Sequence, residues 1–186
     1  ANQNRQIGDL LKTLPAERRP QFEGALSTAF GCTIEGVVPE AKVVELAVAL
    51  MEAGCDEVGL SDTTGYANPA QVKRLTRAVW AAVGRDKLTG LHLHNTRGQG
   101  LANVVAALDI GLTTLDASLG GIGGCPFAPG ASGNIVTEDL VFLLEAMGLR
   151  TGIDIPMLLE VRRLVEAALP GEQLYGFVPD AGVPKG

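Results

Sequence analysis

Cysteine, positive charge and long apolar runs are all scarce in this sequence. The three cysteines, Cys32, Cys55 and Cys125, form no CxxC pair, which argues against a disulfide framework and against a structural zinc site. The net charge of -6 leaves no excess of Lys and Arg for a nucleic-acid interface. No apolar run reaches the roughly 18 residues that a membrane span requires. We therefore expect a cytoplasmic protein that binds neither nucleic acid nor membrane.

The residues that are present predict one folded domain over positions 1–186. Hydrophobic residues make up 46% of the chain and charged residues 19%, a mixture that can bury a core. Short apolar runs alternate with helical patterns that have their own start and stop residues. Residues 1–14 are polar and interrupted by Gly8, and residues 170–186 are predicted as a loop and tail. Strands are predicted at residues 21–28, 57–61, 88–94 and 113–118, and helices at residues 39–53, 69–84, 98–110, 137–148 and 156–169.

This alternation of strands and helices predicts the α/β class with a parallel sheet. Four βα units are half of the eight in a (β/α)₈ TIM barrel, and a complete barrel typically needs about 250 residues. Half of a barrel is therefore one interpretation. A small open sheet is the other.

His92 and His94 are the only histidines in the chain, and their spacing places both imidazoles on one face of the third predicted strand. They stand where that strand ends, and the active sites of parallel βα folds form at the carboxyl ends of the strands. Two neutral imidazoles on one face can bind a divalent metal. The alternative is a pair of ordinary hydrogen-bonded histidines.

Residues 120–134, GGIGGCPFAPGASGN, contain six glycines and two prolines around a single cysteine, Cys125. Such glycine density allows the backbone, at Gly124 for example, to approach a substrate closely, and it lets a loop close over a ligand. Cys125 is therefore a candidate acid or base. An unreactive, packed cysteine in an ordinary loop is the alternative.

Other polar residues follow the predicted strands or open a helix. Asp62, in the segment SDTTG, is a candidate general base or a turn cap. Asn134 offers an amide oxygen to a metal, or it holds the turn before Thr137, which we predict as the N-cap of the next helix. Thr28 ends the first strand and is a candidate substrate contact. Glu138 either contacts substrate or places negative charge at the helix N-terminus.

Three segments carry a family resemblance: HLHNTRGQGLANV, DASLGGIGGCPFAPGASGN and TEDLVFLLEAMG. Together with STAFGC and GLSDTTG, they make the chain from about residue 22 to residue 169 similar to the 3-hydroxy-3-methylglutaryl-CoA lyase family. The HxH pair is shared with related Claisen-type synthases and aldolases, whereas the GGCPFAPGASGN loop is characteristic of the lyases. The resemblance implies a TIM barrel of which this chain supplies about the last four βα units.

The resemblance also implies a Mg²⁺ or Mn²⁺ ion held by His92, His94, Asn134 and the aspartate of an Arg-Asp-Gly motif. This sequence contains no such motif, so we expect a truncated chain, or one with a segment left out, rather than a natural half-barrel enzyme. The implied reaction cleaves 3-hydroxy-3-methylglutaryl-CoA, an acyl-CoA, to acetyl-CoA and acetoacetate by a retro-Claisen step. Asp62 or His92 would remove the hydroxyl proton, and Cys125 would protonate the enolate. A homodimer is implied as well.

Two other functions stay open at this point. A Claisen-type synthase or aldolase would use the same HxH pair, and it would act on acetyl-CoA and a 2-oxo acid. An inactive fragment that self-associates through an exposed barrel edge is the alternative without enzymatic activity.

Overall fold

The chain folds as βα units around a single parallel sheet. The computed structural model describes residues 2–128 and 130–184. The strands are β1 (Glu23–Leu26), β2 (Glu57–Ser61), β3 (Gly90–His92) and β4 (Thr114–Asp116). The helices are α1 (Asn2–Lys12), α2 (Glu40–Glu52), α3 (Pro69–Val83), α4 (Gly100–Ile110), α5 (Thr137–Ala146), α6 (Ile155–Ala168) and α7 (Val178–Ala181).

The four strands pair in chain order, β1-β2-β3-β4, and all the pairings are parallel. Leu60 pairs with Leu91, and His92 pairs with Asp116. Parallel neighbours need a crossover connection, which α2, α3 and α4 provide. The predicted α/β class and parallel sheet are therefore confirmed, whereas closure into a barrel stays a prediction.

The two faces of the sheet differ in polarity because side chains alternate along each strand. One face presents Val58, Leu60 and Leu91, each at most 2% exposed, to the core beneath the helices. Their burial stabilises the fold by roughly 1.5–3 kcal/mol per side chain. The opposite face presents Glu57 and His92 to an open cleft of about 270 Å³.

Three of the strands are shorter than predicted. β2 has the predicted bounds, whereas β1, β3 and β4 are trimmed at their ends. His94 lies beyond β3 because its backbone pairs antiparallel with Asn134. Ser118 likewise lies beyond β4 and pairs with Val136. The carboxyl ends of β3 and β4 are thus tied to the residues that precede α5.

The helices differ from the prediction mainly near the chain ends. The polar residues near the N-terminus form α1, in which Gly8 is buried against the backbone of Ala53 and Gly54. One helical turn, α7, lies within the predicted C-terminal loop. Thr137 is not the N-cap of α5, because Val136 takes that position while the Thr137 N–H donates to the Ser118 carbonyl beyond β4. No helix in residues 2–128 and 130–184 combines the length and the apolar character needed to cross a bilayer.

Candidate functional site

The candidate site lies at the carboxyl ends of the strands. Residues 120–134, which we call the glycine-rich loop, leave β4 and return along the end of β3, where the Ile135 N–H donates to the Leu93 carbonyl at 3.0 Å. Beyond β1, Thr33 Oγ1 donates to the Phe127 carbonyl at 2.9 Å. The loop therefore crosses the same edge of the sheet at which the two histidines stand.

His92 and His94 approach each other through their ring nitrogens. Their Nε2 atoms are 3.1 Å apart, and Nδ1 of His92 lies 3.3 Å from Oδ2 of Asp116. Asp116 reaches the ring because the register of β3 and β4 sets the two residues side by side. A carboxylate on Nδ1 fixes the tautomer that leaves a lone pair on Nε2, an arrangement usual for metal-bound imidazoles.

His94 is 5% exposed. Burial in the first place, and then the neighbouring charge of His92, lower the pKa of His94 to about 4. The ring is therefore neutral at pH 7, and the neutral imidazole is the form that binds metals. Its Nδ1 is buried and has no hydrogen-bond partner within the described part of the chain.

Asn134 stands next to His94 because their backbones pair. Its Nδ2 donates to the Ile122 carbonyl at 2.9 Å, which orients the amide. Its Oδ1 is buried and has no partner among the residues that the structure describes. A buried acceptor left in this state costs on the order of 1–3 kcal/mol, so the position suits a ligand that can satisfy the oxygen.

These atoms fit part of a divalent-metal site. Two nitrogens about 3 Å apart match neighbouring positions of an octahedron with metal–ligand distances of about 2.1 Å. An amide oxygen is also a suitable ligand for Mg²⁺ or Mn²⁺. However, within residues 2–128 and 130–184 no three His, Cys, Asp or Glu side chains are grouped to hold a metal. The fit therefore covers two imidazoles and one amide, without a carboxylate.

Cys125 is half-buried within the glycine-rich loop. Neighbouring Gly124 has no room for a side chain, because a Cβ there would lie 2.9 Å from the Ala131 carbonyl oxygen. Close packing between the two arms of the loop thus accounts for part of its glycine content. Contact of Cys125 or Gly124 with a substrate stays a prediction.

Asp62 shows the predicted turn cap. Its Oδ1 accepts the N–H groups of Tyr66 and Ala67 at 2.8 and 3.0 Å, and the residue is 1% exposed. Burial raises the pKa of Asp62 to about 6, while Oδ2 has no partner among the described residues. A carboxyl with this pKa can exchange a proton near neutral pH. The role of general base therefore stays a prediction beside the observed cap.

Thr28 lies just beyond β1 in the left-handed region, with φ of 54°. It is the one non-glycine residue with positive φ in the described residues. Its N–H donates to Thr63 Oγ1 at 3.0 Å, which ties the end of β1 to the loop after β2. Strained backbone of this kind is concentrated at functional sites, and the predicted substrate contact of Thr28 is untested.

The prediction that Glu138 contacts substrate is wrong. Its side chain is 0% exposed, accepts the Gly120 N–H at 3.1 and 3.2 Å, and forms an ion pair with Arg162 at 2.8 Å. Both carboxylate oxygens of Glu138 already accept hydrogen bonds from protein donors, so neither is left for a ligand. The position of Glu138 in the first turn of α5 agrees with the alternative, a negative charge at the helix N-terminus.

Asp116 and Arg162 were not predicted from the sequence. A signal existed for Asp116, since a carboxylate near the end of the fourth strand lies beside the histidine strand if neighbouring strands pair in chain order. Arg162 carries no such signal, because it stands in an ordinary helical pattern.

Lyases are among the known proteins that are similar to this chain in sequence and in structure. The model of the family described as HMGL-like matches residues 12–165. The hydroxymethylglutaryl-CoA lyase YngG of Bacillus subtilis is 48% identical over 156 residues, which cover 82% of this chain and 52% of that protein. The (R)-citramalyl-CoA lyase of Chloroflexus aurantiacus is 45% identical over 161 residues, which cover 87% of this chain and 50% of that protein.

The structural comparison gives the same picture. An HMG-CoA lyase from Acinetobacter baumannii, solved in complex with coenzyme A and 3-methylmalate, superposes with a TM-score of 0.83 at 44% identity. The match covers 95% of this chain and 56% of that one. The chain thus spans about half the length of the relatives that it matches.

Proposed function

Because the chain belongs to the HMGL-like family, we propose that its protein is a divalent-metal-dependent carbon–carbon lyase built on a TIM barrel. The proposed reaction is the retro-Claisen cleavage of 3-hydroxy-3-methylglutaryl-CoA to acetyl-CoA and acetoacetate. The observation that carries this proposal is the approach of two imidazole nitrogens, one of them from the residue whose backbone pairs with Asn134. The side-chain oxygen of Asn134 has no partner among the described residues. The related lyase solved with coenzyme A supports an acyl-CoA substrate.

We assign His92, His94 and Asn134 as ligands of Mg²⁺ or Mn²⁺. When bound, such an ion lowers the pKa of a hydroxyl group and orients it for reaction. Asp116 orients the His92 ring through Nδ1, and burial keeps His94 neutral. Hard cations also favour a carboxylate ligand, and we propose that residues outside this sequence supply it.

Two side chains move protons in the proposed reaction. Asp62 accepts the proton of the 3-hydroxyl group through Oδ2, and the bond between C2 and C3 breaks. The electron pair of this bond stays with the CoA-bearing fragment, which becomes an enolate. The hydroxyl oxygen becomes the ketone oxygen of acetoacetate. Cys125 then donates a proton to the enolate carbon, which yields acetyl-CoA. We favour Asp62 over His92 as the base because both ring nitrogens of His92 are engaged.

The acyl group has a specific alternative. The relative from Chloroflexus aurantiacus is named as a citramalyl-CoA lyase, and its identity of 45% is close to the 48% of the Bacillus protein. Citramalyl-CoA is therefore the second candidate substrate. Cleavage rates with the two thioesters, measured side by side, distinguish them.

The test is the metal-dependent release of acetyl-CoA from both thioesters. The assay uses this chain and a longer natural protein that contains it. Cys125→Ser is expected to lower the rate by about 100-fold or more, because general acid catalysis contributes about 10²–10⁴-fold. The matched control is Cys32→Ser, since Cys32 is half-buried outside the glycine-rich loop, and its rate is expected to stay within about twofold.

Three outcomes contradict the proposal in different ways. Equal rates for the wild type and Cys125→Ser reject the role of Cys125. Condensation of acetyl-CoA with a 2-oxo acid, without cleavage of either thioester, favours the synthase alternative. No release of acetyl-CoA from the longer protein with either metal overturns the lyase proposal itself.

A further inference from the structure

A buried arginine links α6 to the start of the glycine-rich loop. Arg162 is 7% exposed, and its Nη1 donates to Glu138 Oε1 and to the Tyr175 carbonyl, both at 2.8 Å. Its Nε donates to Glu166 at 2.9 Å. One guanidinium therefore connects α5, α6 and the segment that precedes α7.

Glu138 connects Arg162 to Gly120, the first residue of the loop. Its carboxylate accepts the Gly120 N–H, and the Gly120 carbonyl accepts the Tyr175 N–H at 2.7 Å. Gly120 has φ of 63°, and a Cβ there would lie 2.9–3.2 Å from three side-chain atoms of Leu174. The beginning of the loop is thus enclosed between Glu138 and residues 174–175.

We propose that Arg162 is a positioning residue for the glycine-rich loop. Through Glu138 and Tyr175 it fixes the backbone at Gly120, and in this way it sets where Cys125 stands. Arginine suits this task because its planar guanidinium donates to several acceptors in a fixed geometry, which a lysine ammonium does not reproduce. The effect of this position of Cys125 on catalysis rests on the function proposed above. The positioning of Cys125 by Arg162 does not.

The two buried charges depend on each other. Removing Arg162 alone leaves the Glu138 carboxylate without its cation in a position closed to water, which destabilises a fold strongly. The double variant Arg162→Met with Glu138→Gln removes both charges, and Gln still offers an acceptor to the Gly120 N–H. No side chain then holds the Tyr175 carbonyl. The double variant therefore separates loss of positioning from loss of the fold.

The test is the rate at which iodoacetamide alkylates Cys125 in a Cys32→Ser background, where the other cysteine, Cys55, is buried. We expect Arg162→Met and the double variant to react about fivefold faster or more, because a released loop exposes the thiol more often. Arg163→Met is the matched control, since Arg163 is an exposed neighbour that pairs with Glu160. Its rate is expected to stay within about twofold of the parent.

Circular dichroism identifies the variants that fold, and only these are compared. If the single Met variant does not fold, the double variant decides. If neither folds, Arg162→Lys decides, because lysine keeps the positive charge but lacks the planar guanidinium that donates to several acceptors. Faster alkylation supports the proposal, and a rate equal to the parent, or the same increase in Arg163→Met, overturns it.

A lyase assay separates this proposal from the proposed function. In a parent that releases acetyl-CoA, the double variant is expected to lower kcat by about tenfold or more with less than about threefold change in KM, because misplacing a reacting group costs turnover rather than binding. If the longer protein has no lyase activity, the proposed function is contradicted, and the alkylation result stays valid.

Discussion

Thr28 combines a β-branched side chain with a left-handed backbone, φ of 54°, which such residues rarely adopt. Thr28→Gly is expected to raise the free energy of unfolding by about 1 kcal/mol, because glycine adopts this φ without a clash of Cβ. Urea unfolding measures the change. Ser27→Gly is the control, since Ser27 has no positive φ, and it is expected to lower stability by about 0.5–1 kcal/mol. Loss of stability in both variants would contradict the strain at Thr28.

Asp56 predicts a pH dependence of stability. The Phe22 N–H at 2.9 Å and Arg19 at 2.6 Å bond to its carboxylate, and the N–H first, then Arg19, hold the pKa of Asp56 below its ordinary 3.8. Because the folded pKa is the lower one, ionised Asp56 stabilises the fold above about pH 4, and this contribution is lost as the pH falls through the lowered pKa.

Asp56→Asn is therefore expected to be less stable than the wild type at pH 7 and equally stable at the acid end of the titration. Urea unfolding at a series of pH values tests this. Asp86→Asn changes an exposed carboxylate and is expected to leave stability unchanged throughout. A constant gap between Asp56→Asn and the wild type at all pH values would exclude the linkage.

A site residue could be predicted from the sequence where neighbouring residues in the chain identify it, and not where contacts between distant segments do. The position of His94 at the end of the third strand followed from the histidine spacing, and Asn134 was singled out by the family resemblance. The bond from His92 to Asp116 did not, because it depends on the register of two strands. Glu138 was misjudged because an acidic residue at a helix start looks the same in sequence whether it faces a ligand or a buried arginine.

At the level of single elements, α3 has the clearest start signal. Asn68 Oδ1 accepts the Gln71 N–H at 3.0 Å, and Pro69 occupies the first helical position. Asn68→Ala is expected to lower the free energy of unfolding by about 1 kcal/mol, because a helical N–H loses its acceptor, while Asn68→Ser stays within a few tenths. Thermal unfolding of both variants measures this, and equal melting temperatures would show that the cap contributes nothing.

Elements with their own boundary residues were predicted well, and elements set by tertiary contacts were not. α3 and α4 end at Gly84 and Gly111 as expected. The N-cap of α5 was predicted one residue too late, at Thr137 instead of Val136, because pairing of Val136 with Ser118 depends on a tertiary contact. α7 was missed because the tail is rich in Gly and Pro, yet Val178 is buried and its N–H donates to Asp139.

On the scale of the whole molecule, one continuous core joins the sheet to α2, α3, α4 and α5. Leu60 lies in the central strand β2 and is 0% exposed. Leu60→Ala is expected to cost about 2–5 kcal/mol, because it leaves a cavity that the surrounding structure only partly fills. Leu10→Ala, on the exposed face of α1, is the control at 64% exposure, with a cost within about 0.5 kcal/mol. Urea unfolding followed by circular dichroism compares them, and similar costs would contradict a single core.

Closure of the sheet is where prediction from the sequence stops. The four strands follow from local patterns, but their order does not, and β1 and β4 are edges of the described sheet. The sequence of an edge strand does not specify which strand pairs with it, because its free main-chain groups can form hydrogen bonds with any strand. The sheet face that borders the cleft is acidic: burial first, and then Glu57 and Asp116, raise the pKa of Glu23. A partner that carries cations would relieve this repulsion.

The pairing of His94 with Asn134 is made by the main chain, so it survives the replacement of either side chain. The backbone, and not the side chains, therefore holds the positions of these two proposed metal ligands. Point substitutions such as Asn134→Asp or His94→Glu can then exchange donor atoms without dismantling the backbone pairing. The scaffold is for this reason a good starting point for engineering new ion preferences.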